Sequence, residues 1–296
     1  MKPIDLHIHS RYSPDGELSV AQILDQCKNS GMKTIAITDH NRVGGVSEAL
    51  RYGAQLGLEV IPGIEIDCTF RGIDLHLLGY YIAPDRPEWH RLAAEMTEQE
   101  WEVLPRMLAE LRQLGIEADL TVILDKASGN APSPELIAEV ALADPVNDDL
   151  ALLQPYRNGG ERSDMPYLNF YRDFFAPGKP AHVPLEYMGL QAAVDLIRKD
   201  NGIPVIAHPG DNLLHVPEMI DPILATGVRG IEVFSNYHLP SQTEFYYRKA
   251  RASRALITGG SDFHGQNKPQ IRIGGFNCPL NPMELVATLR QAHEAS

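Results

Sequence analysis

Two histidines stand two residues apart near the start of the chain, in Asp5-Leu6-His7-Ile8-His9-Ser10. Ile4, Leu6 and Ile8 alternate with Asp5, His7 and His9, the period of a β-strand, so both imidazoles project from one face. A strand needs apolar side chains on its buried side and gains nothing structurally from two imidazoles aimed the same way. A metal ion supplies a reason, because neutral imidazole is the commonest nitrogen ligand. Residues of the same chemistry recur at comparable places. His40 directly follows an apolar run, Glu65 and His76 lie in the next two, His208 ends another, and Asp262 and His264 follow a late one. Their shared position predicts a metal site assembled from strand ends.

The elements that must hold these residues follow from periodicity. Ser19 reads as the N-cap of a helix with Val20, Ile23, Leu24 and Cys27 on one face and Gly31 ending it. Strands are predicted at 34–38, 59–66 (broken by Pro62-Gly63) and 73–82, with a helix over 46–56 closed by Gly57. That alternation predicts parallel βα units, whose C-terminal strand ends meet on one face in a barrel. The rhythm breaks at about residue 83. Residues 87–115 and 134–143 read as helices, with a kink or restart at Pro105, and 144–179 is loop-rich. The rhythm returns with a helix at 190–199, a strand at 203–207, a helix from Pro217 to Gly227 and a strand at 228–234. A helix at 240–253, strands at 255–258 and 271–276, and a last helix from Pro282, capped by Asn281, complete it. The expected organisation is a barrel of residues 1–82 and 184–296 interrupted by a mainly helical insertion, 83–183.

Composition narrows the partners. The chain has 296 residues, 44% hydrophobic and 22% charged, with a formal charge of −13. That charge argues against long duplex nucleic acid, whose affinity comes from basic residues neutralising phosphates. No apolar run spans a membrane and no secretion signal is visible, so no membrane partner is expected. Cys27, Cys68 and Cys278 are few and far apart, as free thiols in a reducing cytoplasm would be. The insertion holds nine basic and eighteen acidic residues, and Arg157, Arg162, Arg172 and Lys179 cluster in its last part.

The motif series Asp5-Leu6-His7-Ile8-His9-Ser10, Ser13-Pro14-Asp15-Gly16, Thr38-Asp39-His40, Pro62-Gly63-Ile64-Glu65, His76, Ala207-His208-Pro209 and Gly260-Ser261-Asp262-Phe263-His264-Gly265 resembles, in order, that of the polymerase and histidinol phosphatase (PHP) family. The segment around Gly178-Lys179-Pro180 resembles the subgroup of stand-alone phosphoesterases that includes nucleoside 3',5'-bisphosphate phosphatases and 5'–3' oligoribonucleases. Pro14 and Asn41 depart from the usual pattern without removing a ligand type. The resemblance implies an α/β fold, a distorted (β/α)7 TIM-like barrel with the helical insertion covering its metal face. It implies two or three divalent ions: His7, His9, Glu65 and Asp262 on one, Asp15, His40 and His264 on a second, and Glu65, His76 and His208 on a third. Six imidazoles, three carboxylates and no thiolate suit manganese, iron or zinc rather than calcium. Three such ions would leave a pocket of roughly +3, attractive to phosphate despite the acidic exterior.

The expected activity is hydrolysis of a small phosphate monoester, a phosphorylated nucleotide above others, by a metal-bridging hydroxide. The candidate catalytic residues are Asp262, His264 and His238, the last as a phosphate contact or proton donor. Lys179, Arg157, His238 and Arg272 are the candidate substrate contacts, and Asp39 is expected to orient His40. Within the same chemistry the alternatives are a short RNA or histidinol phosphate as substrate. Outside it they are an amidohydrolase, whose barrels also open with HxH, or a silent metal-binding module.

Overall fold

The structure is a computed structural model and describes residues 2–296. Its first strand, β1 (Ile4–Ile8), is buried along its whole length. α1 (Val20–Asn29) begins at Ser19 in a capping box with Gln22 and buries Val20, Ile23, Leu24 and Cys27. β2 (Thr34–Ile37) pairs in parallel with β1 on one side and β3 (Glu59–Phe70) on the other. α2 (Val46–Leu56) connects them and ends at Gly57, whose φ of 66° is the left-handed stop.

Here the all-parallel expectation fails. β3 neither breaks at Pro62-Gly63 nor stops at Ile66; it runs to Phe70 and folds back as β4 (Ile73–Tyr80), antiparallel to it. The link is Arg71-Gly72, with φ of 53° and 78°. Two residues with positive φ make a tight hairpin, whereas a parallel return needs a crossover of about a dozen residues or more. Register then matters to the site. Glu65 and Asp67 share one face of β3, and His76 of β4 sits opposite Asp67.

Residues 83–183 hold four α-helices joined by loops and short turns. α3 (Pro87–Gln113) passes through Pro105 unbroken, because packing on both sides of the proline holds it. Trp89, Leu92 and Met96 enter the barrel core, while Leu104, Met107, Leu108 and Leu111 enter a second one. That second core also takes Ile123 of α4 (Leu120–Ala127), Ile137 of α5 (Pro134–Ala143) and Phe170 of α6 (Pro166–Phe170). Arg42 links the two parts, donating to Thr97 at 3.0 Å and pairing with Glu100.

Short β5 (Met188–Gly189) pairs with β3, and α7 (Leu190–Arg198) leads to β6 (Ile203–Ile206), antiparallel to β4. After α8 (Pro209–Asn212), the helix expected from Pro217 is a 3₁₀ turn followed by the short α9 (Ile220–Leu224). β7 (Gly230–Phe234), α10 (Pro240–Ser253) and β8 (Leu256–Gly259) restore the parallel rhythm. Across the seam the Asp262 N–H donates to the His7 carbonyl and the His9 N–H to that of Phe263, each at 2.9 Å. The result is a nearly closed mixed barrel in the order β1-β2-β3-β4-β6-β7-β8.

The strand expected at 271–276 is absent. Asp5 takes the backbone donors there: its carboxylate accepts from Gly274 at 2.7 Å and from Ser261 at 2.8 Å, pinning the loops after β8 against β1. α11 (Pro282–Glu294), capped by Asn281, closes the fold.

Candidate metal centre

Glu65 lies at the middle of one barrel end, with its carboxylate fully buried. Its Oε2 is 2.9 Å from His7 Nε2, 3.0 Å from His9 Nε2 and 3.6 Å from His40 Nε2. Its Oε1 is 3.1 Å from His76 Nδ1 and 3.2 Å from His208 Nε2. Asp262 Oδ1 approaches the first pair from the far side, at 3.1 Å from His7 and 3.0 Å from His9. His264 Nε2 lies 2.9 Å from Asp15 Oδ2, and its ring stacks on that of His9. All nine residues expected as ligands are therefore gathered at one place.

The outward-facing nitrogens are already spoken for. His7 Nδ1 meets Glu232 Oε1 at 3.0 Å, His9 Nδ1 meets Ser13 Oγ at 3.2 Å, His40 Nδ1 meets Asp67 Oδ1 at 2.9 Å, and His264 Nδ1 donates to the Asp262 carbonyl at 2.9 Å. Each such bond leaves the inward Nε2 as a lone pair, which is how ligating imidazoles are oriented. The inward atoms then face one another without donors between them. His7 Nε2 and His9 Nε2 are 3.1 Å apart, and Asp262 Oδ1 and His264 Nε2 are buried without a hydrogen bond. Lone pairs and carboxylate oxygens packed this way repel unless cations lie among them. Separations near 3 Å also suit neighbouring ligands around one ion with bonds of about 2.1 Å. The donor set fits divalent metal ions.

Electrostatics agree. Burial disfavours charge on His7 and His40, yet Glu65, Glu232 and Asp262 around the first, and Asp67, Glu65 and Asp15 around the second, hold both rings well above the usual histidine range. That is a field for cations. Three backbone features keep it in place. Asp262 and Asn41 adopt left-handed φ of 57° and 54°, a strain that clusters at functional sites. A Cβ on Gly260 would come within 2.3 Å of the His7 Cβ, so only glycine lets β8 deliver Asp262 beside β1.

Several site residues had not been anticipated. Asp67 holds His40, the role expected of Asp39, while Asn41 clamps Asp67 by a bond of 2.7 Å from its amide. Asp39 instead accepts from the Ser10 N–H and Oγ, fixing the loop after β1. Glu232 of β7 holds both His7 and the His208 N–H, the latter at 2.8 Å. Glu232→Gln keeps one acceptor but loses the charge behind His7, and metal affinity is expected to fall about 10–100-fold. Titration of the metal-free protein with Mn²⁺ checks this; unchanged affinity contradicts it.

Above these residues opens a pocket of about 970 Å³, counting the space at its mouth, with Pro132, Ser133, Glu135, Leu168, Tyr171 and Arg172 from the helical segment among its walls. Glu135 is only 7% exposed there, and burial, reinforced by the Asp15 charge, pushes its carboxyl up to about 7. Three expected substrate contacts are elsewhere. Arg157 donates to the carbonyls of Leu142 and Asn147 and pairs with Asp148, tying loops of the helical segment together. Lys179 is exposed and outside the pocket walls, and Arg272 lines a separate surface hollow with Lys2 and Phe276. His238 donates from Nδ1 to the Val233 carbonyl and accepts at Nε2 from the Gly210 N–H, both at 2.9 Å. With both nitrogens bound to backbone, it locks α8 to the end of β7 and has no proton to offer a leaving group.

Comparison with known proteins agrees with this geometry. The PHP domain matches residues 5–142. A 3',5'-nucleoside bisphosphate phosphatase of Chromobacterium violaceum is 30% identical over 277 residues, 93% of this chain and 91% of that protein. A phosphoribosyl 1,2-cyclic phosphate 1,2-diphosphodiesterase of Eggerthella lenta is 28% identical over 93% of this chain and 98% of its own length. A solved structure of a metal-dependent phosphoesterase candidate from Bifidobacterium adolescentis superimposes with a TM-score of 0.79 at 22% identity, covering 98% of this chain and 96% of that one, which speaks to the fold. A barrel end that brings histidines and carboxylates together around Glu65, in a chain so related along nearly its whole length, places this protein in the PHP family of metal-dependent phosphoesterases.

Proposed function

We propose that the chain hydrolyses the phosphate monoester of a small phosphorylated metabolite, with a phosphorylated nucleotide as the favoured class. The observation that carries this is Glu65, one buried carboxylate shared by five imidazoles, three of which (His40, His76 and His208) line a walled pocket. His7, His9, Glu65 and Asp262 would hold one ion, His9, Asp15, His40 and His264 a second, and Glu65, His76 and His208 a third, each group having its donors within bonding reach of a common centre. Manganese, iron or zinc would supply an activated water and positive charge for the phosphoryl oxygens when bound.

The chain's own residues do the rest. Asp262 and His264 belong to the ligand set rather than acting as separate acids or bases. Residues 83–183 act as a cap: Leu168 and Tyr171, with Leu185 and Tyr187 from the segment that follows, offer an apolar and aromatic wall on which a base or sugar can lie. Arg172, half-exposed at the rim and 3.0 Å from Asp211, is the cationic group of the cap that reaches the mouth. Among the described residues no helix is long and apolar enough to cross a membrane. The three buried thiols support a cytoplasmic location.

The test is a substrate panel with Mn²⁺-loaded enzyme: a nucleoside 3',5'-bisphosphate, mononucleotides, histidinol phosphate, a cyclic phosphate and a 5'-phosphorylated short RNA. The highest kcat/KM is expected on a nucleotide monoester. Turnover of RNA with none of mononucleotides would overturn the monoester reading, and hydrolysis of amides alone would overturn the phosphoester one.

A further inference from the structure

Lys268 has no part in the ligand set, yet it is 8% exposed and lies against one of its members. A lysine buried to this degree needs a partner. Its Nζ donates to Asp262 Oδ2 at 2.7 Å, while the other oxygen, Oδ1, faces His7 and His9. The Tyr237 hydroxyl donates to the same Oδ2 at 2.6 Å, and the ammonium stands 5.4 Å from the centre of the Tyr237 ring. Thus Asp262 is already anchored by the tyrosine, and the lysine adds a full charge that anchoring alone does not require.

The ammonium also faces open space. Lys268 and Tyr237 both line the pocket, with Glu135 across it on the cap and Asp15 nearby. Of the three N–H donors on Nζ, Asp262 Oδ2 accounts for one, and no other hydrogen bond from Nζ is found among the described residues. The backbone that delivers it is held rigidly: the Asn267 amide donates to the Asp15 carbonyl, and the Gln266 N–H to Glu17, each at 2.6 Å. A compact cation with donors to spare, fixed beside the ligands and open to the pocket, has the chemistry of a phosphate contact.

We infer that Lys268 binds a non-bridging oxygen of the substrate phosphate directly, shared between that oxygen and Asp262, and so is a catalytic residue of this enzyme. The inference rests on the phosphoester reading above. It adds a protein cation to a reaction in which negative charge on phosphorus must be stabilised. Tyr237, by contrast, is a positioning residue that acts through Asp262.

Lys268→Gln separates the two roles, since it keeps an N–H for Asp262 and removes the charge. With saturating Mn²⁺, the variant is expected to hold as much metal as the wild type. Inhibition by inorganic phosphate should weaken at least about tenfold, and kcat/KM should fall about 10²-fold. Lys268→Met should give the same shift, and Lys268→Arg should recover part of the phosphate inhibition. Tyr237→Phe is the control: it should lower metal affinity while leaving the phosphate inhibition constant, measured at saturating metal, within about twofold. An unchanged inhibition constant in the Gln and Met variants, or metal loss that accounts for their whole defect, would overturn the assignment. A wild-type enzyme that holds metal but hydrolyses no phosphate ester would instead overturn the parent reading, and this one with it.

Discussion

Glu65→Gln is expected to lower kcat/KM on the order of 10³-fold or more, because one carboxylate faces two groups of imidazoles at once. Oε2 faces His7, His9 and His40, and Oε1 faces His76 and His208. A glutamine of the same shape replaces one of these acceptor oxygens by an NH₂ group. That donor cannot ligate a cation, and it points a proton where an ion should be. The carboxylate is itself held ionised: burial would raise its pKa, but His7, His40 and His76 bring it well below the usual range. Glu65→Asp restores the charge yet withdraws it by one methylene, so it should regain only part of the activity. Metal content measured beside turnover distinguishes this account from simple unfolding. A folded Glu65→Gln enzyme with full metal and wild-type turnover would contradict it.

Removing divalent cations should have the second-largest effect, on activity and on stability together. The metal-free centre buries Glu65 and Asp262 among imidazoles whose lone pairs converge, an arrangement that costs folding free energy. Ions that bind only the folded chain offset that cost. Each site occupied at about 100 times its Kd adds about 2.7 kcal/mol, which for a chain of this size shifts Tm by roughly 4 °C. Chelator treatment should therefore abolish turnover and lower Tm by at least that amount. Mn²⁺ should restore both, while Ca²⁺, which prefers cages of oxygen alone, should restore neither fully. Equal Tm with and without chelator, after metal loss has been verified, would contradict this.

Much of the centre was legible in the sequence because its histidines and carboxylates sit where periodicity alone marks them. His7 and His9 break the logic of an apolar strand, and His208, Asp262 and His264 stand just past strand ends. Asp67 carried the same signal, two residues beyond Glu65 on one strand face. It was hidden because β3 was expected to end at Ile66. Once Arg71-Gly72 is recognised as a hairpin, Asp67 and His76 become cross-strand neighbours and the site gains a member. Glu232 was visible too, as an acid in the otherwise apolar strand Gly230–Phe234.

Other residues had no local signal. Lys268 follows a 3₁₀ turn, and Glu135 occupies the first helical turn, where an acid is ordinary. Their place in the pocket comes from how the loops and the helices of 83–183 pack at the barrel end, which no short spacing encodes. The same holds in reverse for Arg157 and His238. Each has the right chemistry for a phosphate site, but tertiary packing turns both toward backbone groups instead.

The most direct test of the central claim is a metal count. Protein purified without chelator and reconstituted with Mn²⁺ should carry two or three ions per chain, and turnover should rise in step with that number. Fewer than two bound ions in fully active enzyme would contradict a centre organised around Glu65.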